Sequence, residues 1–131
     1  MFDSRTASSA ALAYLGDAVL ELCVRERLLA LGYTSSKKLN VHALEYVRAG
    51  AQARAMERIL PVLTEEENAA FRRGRNAGHG QHPKGATVGE YRNATGMEAL
   101  FGYLHMMKNE ARIAELFGIA YPKEEDHANQ I

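Results

Sequence analysis

The sequence has one cysteine, three prolines and no excess charge of either sign in 131 residues. Each scarcity excludes something. A lone Cys23 cannot build a disulfide framework or a Cys-based zinc site within one chain, and it fits a reducing, cytoplasmic setting. Few prolines, with nearly half the residues hydrophobic, exclude a disordered composition. No apolar run is long enough to cross a membrane. The start, "MFDSRTASSA", lacks the basic and then apolar order of a secretory signal. Sixteen basic residues balance sixteen acidic ones, which argues against a generic nucleic-acid coat. Internal repeats, low-complexity blocks and period-two strand patterns are also missing.

What remains is helical periodicity, and we read an all-α chain of about five main helices forming one domain over 1–131. The first is expected from Ser9 to Ala30, capped by Ser8 or Ser9 and ended by Gly32. Leu12, Leu15, Val19, Leu22 and Cys23 make its stripe. It is apolar nearly all round, the pattern of a central helix. "SSKK" caps a second helix running to Leu60, where Pro61 stops it. Thr64 and Glu67 form a capping box for a short third helix through Phe71. "GRNAGHGQHPKGATVG" (74–89) holds five glycines and a proline and reads as a loop. A fourth helix follows from Glu90 to Met107 and a last one from Asn109 to Gly118. The tail, 119–131, is polar and expected to fray.

Two features point to chemistry. Between Ala10 and Val24 only Asp17 and Glu21 are charged, and between Ala94 and Met107 the only formal charge is Glu98. Carboxylates in buried helices need a partner or a cation. Small residues flank both acids, so two helix backbones could approach and bring Asp17 and Glu98 together. Paired carboxylates take up a proton or share a cation, and hard oxygen ligands with room for water suit Mg²⁺. The plain alternative is an ion pair with Lys or Arg, or a solvent-facing helix edge. The second feature is basic. From Arg72 to Arg92, Arg72, Arg73, Arg75, Lys84 and Arg92 stand against one acid, Glu90. A glycine-rich basic loop can lay N–H groups and guanidinium forks along phosphates, or can simply be solvated. A basic loop beside an acidic metal site is what a metal-dependent nuclease requires.

Other residues carry two readings each. Glu21 can serve the Asp17 site or pair with Arg25 one turn on. Thr95 can hold a water of the metal or bond the carbonyl a turn back. Asn76 can touch a bound polyanion or stabilise a turn. His79 and His82 are too loosely placed for zinc, His42 and His105 read as packing or surface residues, and Met97, Met106 and Met107 as filler.

"YLGDAVLE" (14–21) resembles the ribonuclease III signature, and "ATGMEALFGYL" (94–104) resembles that family's second acidic motif. With "RRGRNA" (72–77) and "YRNATG" (91–96), the chain resembles the short branch, Mini-ribonuclease III, over residues 8–118. The lack of a following double-stranded-RNA-binding domain fits that branch. The resemblance implies an all-α homodimeric endonuclease that cuts double-stranded RNA with Mg²⁺, leaving 5′-phosphate and 3′-hydroxyl ends. It implies Asp17 and Glu98 as catalytic metal ligands, with Thr95 acting through water. RNA would be held by Arg72, Arg73, Arg75, Asn76, Lys84 and Arg92, and precursor 23S ribosomal RNA is the substrate expected. The competing reading is a catalytically silent RNA-binding helical dimer. Full-length relatives carry acids seven and four residues before the Asp and three before the Glu. Here those positions are Ala10, Ala13 and Thr95, so the site is poorer in carboxylates.

Overall fold

The computed structural model describes residues 2–3, 6–77 and 85–122. Among these every regular element is helical: α1 Ser9–Ala30, α2 Ser36–Val47, α3 Ala49–Ile59, a 3₁₀ turn Leu60–Val62, α4 Glu65–Ala77, α5 Val88–Met106 and α6 Glu110–Ala120. No helix is long and apolar enough to cross a membrane, among the described residues.

The starts are written in the sequence. The Ser8 hydroxyl accepts from the Ala11 N–H, Ser35 from Lys38 and Asn109 from Arg112, each satisfying an otherwise orphan donor. Thr64 and Glu67 close the expected capping box, each side chain accepting from the other's backbone N–H. A second box, Thr87 with Glu90, opens α5 two residues earlier than expected.

Three further boundaries differ from expectation. The second helix is two helices, broken at Arg48, whose ψ of 144° is extended. The break lets α2 lie on α1 while α3 turns onto α5 and α6, so tertiary packing overrides a continuous apolar stripe. The helix expected to stop at Phe71 continues through Gly74 to Ala77. Gly74 looked like a breaker, but it is a contact: a Cβ there would lie 2.4 Å from the Cβ of Ala99 and 3.2 Å from the Cα of Gly96. The last helix passes Gly118 to Ala120, where Arg58 donates to the Ala120 carbonyl at 2.7 Å and Arg27 to that of Tyr121.

The central helix is α5, not α1. It packs on α1, α3, α4 and α6, and Met97, Ala99, Leu100 and Phe101 are wholly buried. By contrast α1 buries Leu12, Leu20, Val24 and Leu28 and leaves a face open. On it Tyr14 is 85% exposed, Leu22 60% and Leu29 62%. Leu22, expected in the core stripe, therefore faces out. One ion pair is set deep: Arg112 of α6 grips the buried Glu67 of α4 with two bonds of 2.8 Å.

Candidate active site

Glycine decides where α1 crosses α5. A Cβ on Gly16 would fall 1.6 Å from the carbonyl oxygen of Glu98, and one on Gly102 would fall 2.0 Å from that of Leu12. Side chains at either place would hold the helices apart, so only this pair of glycines allows the backbones to touch. The consequence is local. Asp17 follows Gly16, and Glu98 supplies the carbonyl that Gly16 meets, so the two carboxyls come together at the crossing and line one hollow. The expectation that small residues would bring these acids into contact is met.

Their surroundings are unequal. Glu98 is half-buried, whereas Asp17 is exposed, not enclosed in apolar surface as its sequence neighbours suggested. Burial pushes the Glu98 carboxyl up to about 8, with help from the neighbouring Asp17 carboxyl. At neutral pH without a cation Glu98 holds the proton.

The acids face a hollow of about 310 Å³ between α1, α4 and α5. Ala10, Ala13 and Tyr14 line it from α1, Gly74 and Ala77 from α4, and Tyr91 and Thr95 from α5. The Thr95 hydroxyl donates to the Tyr91 carbonyl at 2.9 Å, so its lone pairs, not its proton, are left for a ligand. Of the two readings for Thr95, the backbone bond is made, and the position at the hollow keeps the water role open. Tyr14 and Tyr91 were not read as site residues. Their spacing held the signal, since Tyr14 precedes Asp17 by one helical turn and Tyr91 precedes Glu98 by two.

Divalent metal fits this donor set. Its atoms are hard oxygens, two of them carboxylic, at an open edge where water can complete the coordination. No group of three or more His, Cys, Asp or Glu residues is placed to hold a metal, among the described residues.

The basic residues expected on a loop stand mostly on helices. Arg72, Arg73, Arg75 and Asn76 belong to the last turns of α4, and Arg92 to the first turns of α5; all are exposed. Arg75 is tied down, its Nε donating to Asn93 Oδ1 at 3.0 Å and linking α4 to α5. Gly74, between Arg73 and Arg75, is in the wall of the hollow, so this basic turn borders the acids. Lys84, His79 and His82 lie outside the described residues. Glu21 makes the alternative ion pair, accepting from Arg25 at 2.7 Å. Cys23 is half-buried and its thiol is pushed up by burial, the opposite of an activated nucleophile.

Comparison with known proteins identifies the family and the fold. Residues 10–109 match the ribonuclease III domain family. A protein named Mini-ribonuclease 3 from Symbiobacterium thermophilum is 51% identical over 110 residues, covering 83% of this chain and 84% of that one. Another of that name, from Enterococcus faecalis, is 44% identical over 118 residues, covering 88% and 89%. A crystal structure of a Fusobacterium nucleatum protein superposes with a TM-score of 0.84 at 32% identity, covering 94% of this chain and all of that one.

Proposed function

Since the chain belongs to the ribonuclease III family, in its Mini-ribonuclease 3 branch, and is thereby an endoribonuclease acting on double-stranded RNA, we propose that it works with Mg²⁺ at Asp17 and Glu98, leaves 5′-phosphate and 3′-hydroxyl ends, and matures precursor 23S ribosomal RNA in the cytoplasm as a homodimer. The observation that carries the site assignment is the meeting of Asp17 and Glu98 at the rim of one open hollow.

Each residue has a task. Asp17, exposed, presents its carboxyl at the mouth. Glu98, deeper, is kept protonated chiefly by burial and secondly by the Asp17 carboxyl, and would ionise to hold a cation whose positive charge offsets both costs. When bound there, a divalent cation acidifies water for in-line attack and offsets charge on the phosphate. Thr95 offers an uncharged acceptor at the position where an acid would otherwise stand. Arg72, Arg73 and Arg92 hold the duplex by its backbone, as suits A-form RNA, whose deep groove hides its bases. Arg75, pinned to Asn93, fixes the angle of that basic turn.

Homodimerisation gives the open face of α1 a use, since Leu22 and Leu29 are apolar surface that a second copy can cover. A two-fold axis supplies one hollow for each strand of a duplex. The test is cleavage of structured ribosomal precursor RNA with Mg²⁺ and with chelator, followed by end mapping. Paired nicks with 5′-phosphates, dependent on Mg²⁺, are expected; binding without cleavage in both conditions overturns the assignment in favour of a silent RNA-binding dimer.

A further inference from the structure

The inference here rests on the reading just given and concerns a side chain to which that reading gives no task. Tyr91 lines the hollow beside Thr95 and Glu98, which follow it at i+4 and i+7 on the same face of α5. It is half-buried, and its backbone is held on both sides. The N–H donates to the Thr87 carbonyl at 3.0 Å, and the carbonyl accepts from the Thr95 hydroxyl at 2.9 Å. The phenol hydroxyl, by contrast, has no hydrogen-bond partner among the described residues. Two other free hydroxyls border the hollow, and neither is held as firmly. Tyr14 is 85% exposed on the open face of α1, and Ser9 is the first residue of that helix. The rest of the lining is carboxyl, methyl or glycine, apart from Thr95, whose proton is already committed. Among the described residues, Tyr91 thus offers the wall its best-anchored free hydroxyl, a donor and an acceptor at once.

Such a group suits a sugar better than a phosphate. In hydrolysis that leaves a 3′-hydroxyl, the oxygen of water joins phosphorus and O3′ departs with a proton. The nucleotide that keeps O3′ must therefore bring its ribose to the acids. Its 2′-hydroxyl stands on the neighbouring ring carbon and, in an A-form duplex, is displayed in the wide, shallow groove. A phenol can donate to that oxygen and accept its proton, whereas a carboxylate can only accept. We propose that Tyr91 is a specificity-determining residue that hydrogen-bonds the 2′-hydroxyl of the nucleotide 5′ to the scissile bond, so that the site prefers ribose to deoxyribose there. With deoxyribose the phenol loses its partner. The loss is moderate, because the hydroxyl is only half-buried and water can reach it.

A chemical double-mutant cycle on the full chain tests this. Wild type and Tyr91→Phe each cut, in single turnover with Mg²⁺, an all-RNA duplex and the same duplex with one 2′-deoxynucleotide 5′ to the mapped cut. Wild type should cleave the deoxy bond about tenfold more slowly. Tyr91→Phe, which keeps the ring and its packing, should cleave the all-RNA duplex about tenfold more slowly and show no further loss on the deoxy substrate. Losses that multiply, to about a hundredfold together, would mean that the two hydroxyls act independently and would overturn the inference. Equal rates on both substrates for wild type, or an unchanged ribose preference in Tyr91→Phe, also overturn it. An unpartnered hydroxyl gives the fold nothing, so Tyr91→Phe should melt at or above the wild-type temperature. A lower melting temperature would assign the hydroxyl to the fold instead. Absence of Mg²⁺-dependent cleavage of the all-RNA duplex by wild type is a separate result, and it overturns the reading of the site itself.

Discussion

Gly16 of α1 touches Glu98 of α5 backbone to backbone, and no side chain fits between them: a methyl at 16 would lie 1.6 Å from the Glu98 carbonyl oxygen. The obstacle is main chain, which cannot rotate away. Gly16→Ala should therefore push α1 off α5, destabilising the protein by about 3 kcal/mol and separating the acids. Chemical denaturation and a cleavage assay check it. Stability and activity both near wild type would mean that the crossing does not set the site.

Asp17→Asn and Glu98→Gln should each abolish cleavage and leave metal-free RNA binding intact, since shape is kept and only charge is lost. Their stabilities should differ with pH. The Glu98 carboxyl is raised from the ordinary 4.5 to about 8 in the fold, so the folded state binds the extra proton. Stability conferred by that proton is full below about pH 4.5 and is lost as pH rises toward 8. In chelator, wild type should thus fall relative to Glu98→Gln between pH 5 and 8, followed as the difference in Tm. A flat difference would mean that burial beside Asp17 does not raise the Glu98 carboxyl.

Thr95→Asp should lower the Mg²⁺ concentration that gives half-maximal cleavage, because it adds charged oxygen to a donor-poor hollow. The same change adds a third negative charge and should lower the metal-free melting temperature. A Mg²⁺ titration of both proteins decides it. An unchanged or higher midpoint would show that position 95 does not address the metal.

Removing Arg72, Arg73 or Arg92 should weaken binding to unrelated duplexes alike and reduce the salt slope by about one per lost contact. Arg75→Ala should do something different. It frees the Asn93 link and so should alter cleavage more than binding. The measurement is duplex affinity over a salt series. Affinities and slopes that stay fixed for all three would move the RNA surface elsewhere.

Arg112→Ala should be among the most damaging substitutions far from the site. It strands Glu67, a buried carboxylate whose two oxygens the guanidinium holds at 2.8 Å, at a loss of about 3–5 kcal/mol. Glu67 is held below the usual carboxylate range, chiefly by that hydrogen bond. The pair's contribution is therefore present above about pH 4.5 and lost as pH falls through the lowered value. Arg112→Lys should recover little, because a lysine cannot make both bonds. Denaturation at pH 7 and pH 3.5 tests the prediction; a loss below 1 kcal/mol would make the pair ornamental.

Much of this was legible because it is local. Caps at Ser8, Ser35, Thr64 and Asn109 are side-chain chemistry within one turn, and two acids isolated in apolar runs announce themselves. What the sequence hid depends on packing. Gly74 and Arg48 look like a helix breaker and a helix former, yet Gly74 is mid-helix because it meets Gly96 and Ala99, and Arg48 is extended because α2 and α3 serve different neighbours. The exposure of Asp17 was hidden for the same reason. An apolar wheel does not reveal which side will find a partner, and α1 proved to have one face on α5 and one open.

The glycine contacts set a condition on anyone who would move this site into another protein. Ordinary helix pairs run with axes about 8–10 Å apart, spaced by side chains, and two acids grafted onto such a pair would miss one another. The portable unit is therefore not Asp17 and Glu98 but those acids together with Gly16 and Gly102, which close α1 onto α5, and Gly74 and Gly96, which seat α4 beside them. A designer who copied the acids alone would obtain a helical bundle with two unrelated surface charges.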